Sequence, residues 1–140
     1  RVTKADEQSR HVRQRNKIAA RAYRAFAGDF RQHPAIQRRE QRAYNSAHGI
    51  VTESWSPIKS VMTETVVVSL ADQLERTPSQ IVLRWHLQNG LVAIPKTGNV
   101  QRLAQNLAAG DFELGESEMA QLDTLDLGPD AGTDSDESGH

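Results

Sequence analysis

Arg76-Thr77-Pro78-Ser79-Gln80-Ile81-Val82-Leu83-Arg84-Trp85-His86-Leu87-Gln88-Asn89-Gly90-Leu91-Val92-Ala93-Ile94-Pro95 joins a helix to a strand, with both boundaries marked. Thr77 suits the capping position, Pro78 fits the first turn, and Gln80 is placed to reach back and complete a capping box. Val82, Trp85 and His86 then recur at helical spacing. Asn89-Gly90 ends the helix, because glycine accepts the left-handed conformation that follows a last turn. Leu91–Ile94 is a short apolar run stopped by Pro95, which predicts a buried strand.

Working outward, the same alternation repeats. Ile50–Trp55 is rich in β-branched and aromatic residues and is stopped by Pro57, which predicts a second strand. Residues 63–75 predict a helix with Val67, Leu70, Ala71 and Leu74 on one face. Pro34 can open a further helix that continues through Gln37–His48, with Gly49 after its end. Downstream, Asn99 can cap a helix through Val100, Leu103 and Leu107, and Ser117 begins a last one with Met119, Leu122 and Leu125. Residues 1–32 have weak periodicity, with a short helix expected over Ile18–Phe26 and ended by Gly28-Asp29. Strands alternating with helices imply parallel strands and right-handed crossovers. Two strands do not make a sheet that can be buried on both faces, so the pattern is that of a piece of an α/β protein.

Composition narrows the classes. The 140 residues suggest one modest domain or part of a larger one, and 37% hydrophobic with 5% aromatic residues allows a lean core. There is no cysteine, which excludes disulfides and thiolate metal sites. The five histidines, at 11, 33, 48, 86 and 140, show no metal-ligand spacing. No apolar run approaches the ~20 residues of a membrane span, and Arg1–Asn16 lacks the apolar stretch of a signal peptide; a cytoplasmic protein is expected. The net charge of −1 hides an asymmetry: residues 1–42 carry twelve Lys/Arg and four Asp/Glu, whereas residues 111–140 carry ten Asp/Glu and no Lys/Arg. Such a basic arm can bind nucleic acid or an anionic surface. It matches no binding motif, however, and a solvated arm is the favoured reading. The tail from Gly128, rich in Gly, Asp and Ser, is expected to be disordered.

Three segments carry a resemblance when taken in order: His33-Pro34 with Gln41-Arg42-Ala43-Tyr44 and Gly49–Pro57; Arg76–Gln88; and Ile94-Pro95-Lys96-Thr97 with Arg102 and Asn106, followed by Phe112–Met119. Over residues 33–128 the chain resembles the C-terminal part of the NADP-dependent aldo-keto reductase family. The resemblance implies an incomplete piece of a TIM-type (β/α)8 barrel, about the last two strands and their helices, with Ile50–Ser56 similar to the seventh strand and Leu91–Ile94 to the eighth. It also implies a cofactor site for NADP(H). Lys96, Thr97 and Arg102 would hold the 2′-phosphate and Gln105 and Asn106 would meet the adenine. Trp55 would stack on the nicotinamide, and Ser56, Ile58 and Ser60 would belong to the loop that crosses the pyrophosphate. Lys96 at a strand end and Arg102 one turn into the next helix suit a phosphate on physical grounds, and the helix start near Asn99 is expected to add exposed N–H donors.

The sequence departs from the family in telling places. Gln105 stands where the family often has Glu. Ile58-Lys59-Ser60 replaces a more usual Leu-Gly-x, which puts closure of that loop in doubt. Asp29–Gln32 replaces the family's Val-Asn-Gln-x-Glu-x before His-Pro, so residues 1–32 form a basic segment unlike the family, non-native or disordered. The catalytic aspartate, tyrosine, lysine and histidine that the family uses to reduce a carbonyl have no match. Tyr44 reads as a packing residue, as do Trp85 and His86. The resemblance implies a small carbonyl substrate for an intact protein, no metal and no membrane, with a complementing chain as a partner of the incomplete barrel. The alternative is a non-enzymatic remnant, or a binding module that uses the basic arm.

Overall fold

A computed structural model describes residues 28–129 and 131. Three strands, β1 (Gly28–Arg31), β2 (Thr52–Trp55) and β3 (Val92–Ile94), form one sheet in the order β1-β2-β3. Both pairings are parallel, with Glu53 opposite Asp29 on one side and opposite Val92 on the other. The helices are α1 (Arg39–Ala47), α2 (Thr65–Gln73), α3 (Pro78–Gln88), α4 (Val100–Leu107) and α5 (Glu116–Asp123), with a 3-10 turn at Ala108–Gly110.

Most boundaries follow their signals. Thr77 Oγ1 accepts the Gln80 N–H at 3.3 Å and Gln80 Oε1 accepts the Thr77 N–H at 2.9 Å, so the capping box at the start of α3 is complete. Asn99 Oδ1 caps α4 as expected. Gly49 and Gly90 take φ of 66° and 68° after α1 and α3. Four expectations change. The strand β1 occupies Gly28 and Asp29, where a helix end was expected, so the ordered fold begins before His33. The helix expected at 18–26, and most of the acidic tail, lie outside the described residues. Helix α1 starts at Arg39 and not at Pro34, because residues 33–36 close a tight turn in which the Ile36 N–H donates to His33 O at 2.8 Å. The last helix starts one residue before Ser117, at Glu116 after Gly115. Strand β3 is an edge: Leu91 is buried, but Val92 and Ile94 are exposed, since among the described strands only β2 pairs with it.

The core sits between α2, α3 and α5. Val67, Leu70, Ile81, Val82, Trp85 and Leu122 are fully buried there, and each such burial contributes about 1.5–3 kcal/mol. Trp85 and His86 are packing residues, as expected. Tyr44 is not: it is exposed and stacks on His48 at 4.0 Å between ring centroids.

His86 lies fully buried between two carbonyls, with Nδ1 2.7 Å from Val82 O and Nε2 3.1 Å from Gln32 O. A neutral ring has one N–H to donate, so only one of these contacts is satisfied at a time. Burial pushes the His86 pKa below the ordinary histidine value, outweighing the pull of the two carbonyls and aided by the nearby Arg42 charge. Protonation therefore favours the unfolded chain. Stability should be flat above the unfolded pKa of roughly 6.5 and fall below it, by up to about 1.4 kcal/mol per pH unit, until the depressed folded pKa is reached. Urea titrations between about pH 5 and pH 8, either side of the unfolded pKa of roughly 6.5, should show this slope, and His86→Asn should flatten it; an unchanged slope in the variant would assign it to other groups.

Candidate functional site

Because β2 and β3 run parallel, the loops that follow them leave the same end of the sheet. The first loop begins at Ser56, whose φ of 47° is left-handed. A non-glycine residue held there stores about 1–3 kcal/mol of strain and turns the chain sharply out of the strand. The second loop runs from Pro95 to Asn99. The N-terminus of α3 opens at this end as well. Between the three lies a cleft of about 500 Å³, lined by Ile58, Lys59 and Met62, by Thr77, Pro78 and Ser79, and by Lys96, Thr97, Arg102, Gln105 and Asn106.

Of the nine residues singled out for a cofactor, the cleft gathers six: Ile58, Lys96, Thr97, Arg102, Gln105 and Asn106. Trp55, Ser56 and Ser60 are not among its walls. Trp55 stands at the last position of β2, 40% exposed, in register with Arg31 and Ile94. Ser56 is exposed at the turn. Ser60 lies with its hydroxyl 2.8 Å from His33 Nε2, tying the loop to the turn after β1. Five wall residues were missed. Lys59 was visible as a cation in a strand-end loop but read only as a disturbance of that loop. Thr77, Pro78 and Ser79 were read for capping alone, and nothing in the sequence marked Met62.

The electrostatics of the cleft are one-sided. Lys59, Lys96 and Arg102 line it, and among the described residues no carboxylate does. None of the three cations forms a salt bridge among the described residues. Backbone donors contribute less than expected: Asn99 Oδ1 takes the N–H groups of Gln101 at 2.8 Å and Arg102 at 3.2 Å, and Thr97 Oγ1 takes that of Asn99 at 3.2 Å. The Thr97 hydroxyl keeps its own hydrogen to donate. Helix α4 is fixed from behind, where Gln80 Nε2 donates to Gln105 O at 3.0 Å. The arrangement suits a ligand with more than one negative oxygen, met by a guanidinium fork, two ammonium groups and a hydroxyl. Among the described residues, the cleft walls hold no tyrosine, histidine or carboxylate. Tyr44 is on α1, outside the cleft, and no group of His, Asp and Glu among the described residues could hold a metal ion.

If Asn99 holds Arg102 in place through the helix start, Asn99→Ala should cost about 1 kcal/mol and speed amide exchange at Gln101 and Arg102. Hydrogen exchange read by NMR checks this; unchanged rates at both amides would mean the cap is not what orders α4.

Residues 10–127 match the Aldo/keto reductase family, a range that reaches back well before His33. The methylglyoxal reductase DkgA of Escherichia coli is 44% identical over 111 residues, which are 76% of this chain and 40% of that protein. The morphine 6-dehydrogenase of Pseudomonas putida is 42% identical over 117 residues, 73% of this chain and 40% of that protein. Among solved structures, a Gox0644 mutant in complex with NADPH superposes with a TM-score of 0.74 at 36% identity, covering 82% of this chain and 43% of that one. The aldose reductase from Schistosoma japonicum gives a TM-score of 0.70 at 28% identity, with 80% and 37% covered. The chain thus spans about 40% of the length of the curated relatives it matches.

Proposed function

The chain belongs to the aldo/keto reductase family, and we propose that its cleft is the phosphate-binding end of an NADP(H) site in an NADPH-dependent carbonyl reductase. The observation that carries this is the convergence of Lys59, Lys96 and Arg102 on one cleft with no carboxylate among the described residues of its walls. Like charges brought together repel unless an anion joins them, so the cluster is best accounted for by a phosphorylated ligand. Arg102 and Lys96, with the Thr97 hydroxyl, would hold the 2′-phosphate. Gln105 and Asn106 would flank the adenine, and Gln105, being neutral, adds no charge that would oppose the phosphate. Lys59 and Ile58 would lie along the pyrophosphate. Trp55, exposed at the strand end, would meet the nicotinamide with Ser56 and Ser60 in the adjoining loop. When bound, NADPH supplies the hydride that reduces a small carbonyl compound.

The relatives' names support the substrate class: one reduces methylglyoxal by name, and another is named for morphine. A cytoplasmic setting fits a cysteine-free chain in which no helix among the described residues is long and apolar enough to cross a membrane.

Calorimetric titration of the pure chain should show binding of adenosine 2′,5′-bisphosphate and of NADP in preference to NAD. Lys96→Ala and Arg102→Ala should each weaken the 2′-phosphate ligands by about 10–100-fold, as a charge-assisted contact of ~1.5–3 kcal/mol requires, and leave NAD unaffected. Equal affinity for NADP and NAD would sink the assignment. In a separate assay, the chain alone should not oxidise NADPH with any aldehyde, because among the described residues no tyrosine or histidine lines the cleft; saturable turnover by the pure chain would overturn that.

A further inference from the structure

The loop after β2 is pegged at both ends. Pro57 and Val61 are fully buried, and Val61 belongs to the core cluster. Two successive turns lead from it to α2: the Val61 N–H donates to Ile58 O at 3.3 Å and the Glu64 N–H to Val61 O at 3.1 Å. Between the pegs lie Ile58, half-buried, and Lys59 and Ser60, both exposed. Ser60 is tied sideways, with its hydroxyl 2.8 Å from His33 Nε2. A hydroxyl both donates and accepts, so either imidazole tautomer satisfies this contact. His33 is a fixed post for it. The ring is buried, and the turn that carries it is closed by the Ile36 N–H donating to His33 O at 2.8 Å. That turn is held again where Ala35 O accepts the Leu127 N–H at 3.1 Å and Pro34 O accepts Gln37 Nε2 at 2.9 Å.

Lys59 stands between these pegs and lines the cleft with Lys96 and Arg102. Lys96 and Arg102 come from the loop after β3 and the first turn of α4, whereas Lys59 comes from the separate loop after β2. A lysine is a point charge on a flexible stem, so where it acts depends on how its backbone is held. The tie at Ser60, one residue away, holds it. We propose that His33, acting through Ser60, is the positioning residue that sets Lys59 against a second phosphate group, distinct from the one met by Lys96 and Arg102. The cleft then takes an adenine nucleotide with two phosphate positions, and the loop need not close over it. Order set before the ligand arrives is not charged against binding, which is the gain from preorganisation. A glycine at this place, as in the Leu-Gly-x pattern, has no charge to offer, so the contact belongs to Lys59 of this chain. The inference rests on the NADP(H) reading of the cleft.

Calorimetric titration of the full chain compares NADP, which carries both phosphate positions, with adenosine 2′-monophosphate, which carries one. Lys59→Ala should weaken NADP about tenfold and leave the monophosphate little changed. Ser60→Ala, at an exposed position, should weaken NADP by about threefold or more and add nothing further once Lys59 is alanine, as residues acting through one another do. His33→Ala should repeat the Ser60→Ala result. His33→Gln, whose amide can take the place of Nε2, should restore the affinity. Ser60→Ala keeps the test open if His33→Ala unfolds the chain. Deuterium exchange at the Ser60 and Val61 amides should change little when NADP binds. An unchanged NADP affinity in Ser60→Ala, additive losses in the double variant, equal losses for both ligands, or strong slowing of those amides on binding would overturn the positioning role and leave the cofactor reading standing. Failure of both ligands to bind the unaltered chain would overturn the cofactor reading, and this inference with it.

Discussion

Gln80 meets three demands with its side chain and its backbone N–H. Its Oε1 accepts the Thr77 N–H, its backbone N–H donates to Thr77 Oγ1, and its Nε2 reaches Gln105 O on α4. The first two bonds start α3 at a defined residue and direction. The third joins that start to the helix carrying Arg102. Helix α3 also supplies Ile81, Val82 and Trp85 to the core and His86 to the carbonyl of Gln32. The wall of the cleft, the core and the link back to β1 therefore share one origin. A shift of α3 by one residue would unsettle all of them together, since side chains on a helix move by about 100° per residue.

The cleft shows how a fold can hold like charges close without burying them. Lys59, Lys96 and Arg102 are each on a loop or first turn and exposed, so they keep their charge without a desolvation cost, and water weakens their mutual repulsion only in part. Capping by Asn99 removes the backbone N–H groups that would otherwise dominate a helix start, so selectivity passes to side chains. A guanidinium fork has a geometry that an amide nest lacks, and it distinguishes a phosphate by shape as well as by charge.

Several buried polar groups lie on and beside the sheet. Gln32, Glu53 and Ser54 are buried, yet the Gln32 carboxamide, one Glu53 carboxyl oxygen and the Ser54 hydroxyl have no hydrogen-bond partner among the described residues. Trp85 Nε1 is in the same position. Left without water or another partner, each such group would cost about 1–3 kcal/mol. These polar groups lie on and beside β1 and β2, while the apolar surplus lies at β3 and α4. Parallel sheets are normally covered on both faces, and the three strands among the described residues leave these groups and the β3 edge uncovered.

The sequence by itself determined the helix starts and stops, the parallel αβ alternation and most of the cleft. Those signals are local: Thr77-Pro78-Ser79-Gln80 forms its own cap, Asn99 caps within three residues, and Pro95-Lys96-Thr97 follows a strand end wherever that strand lies. Local chemistry also betrayed the incompleteness, since two strand patterns cannot fill a barrel. What only the tertiary structure decided is whatever depends on residues far apart in the chain. The strand Gly28–Arg31 has no alternating pattern of its own and exists by pairing with Thr52–Trp55. Tyr44 reads as core by type but faces solvent, because the face of α1 that packs inward carries Asn45 instead. Ser60 leaves the cleft because His33 holds its hydroxyl, whereas Lys59 joins it because the turn after Ser56 carries it toward Lys96 and Arg102. Hydrogen bonds within a few residues can be read from a sequence; which distant side chains share a wall depends on the packing of whole helices, and the sequence states that only through the fold.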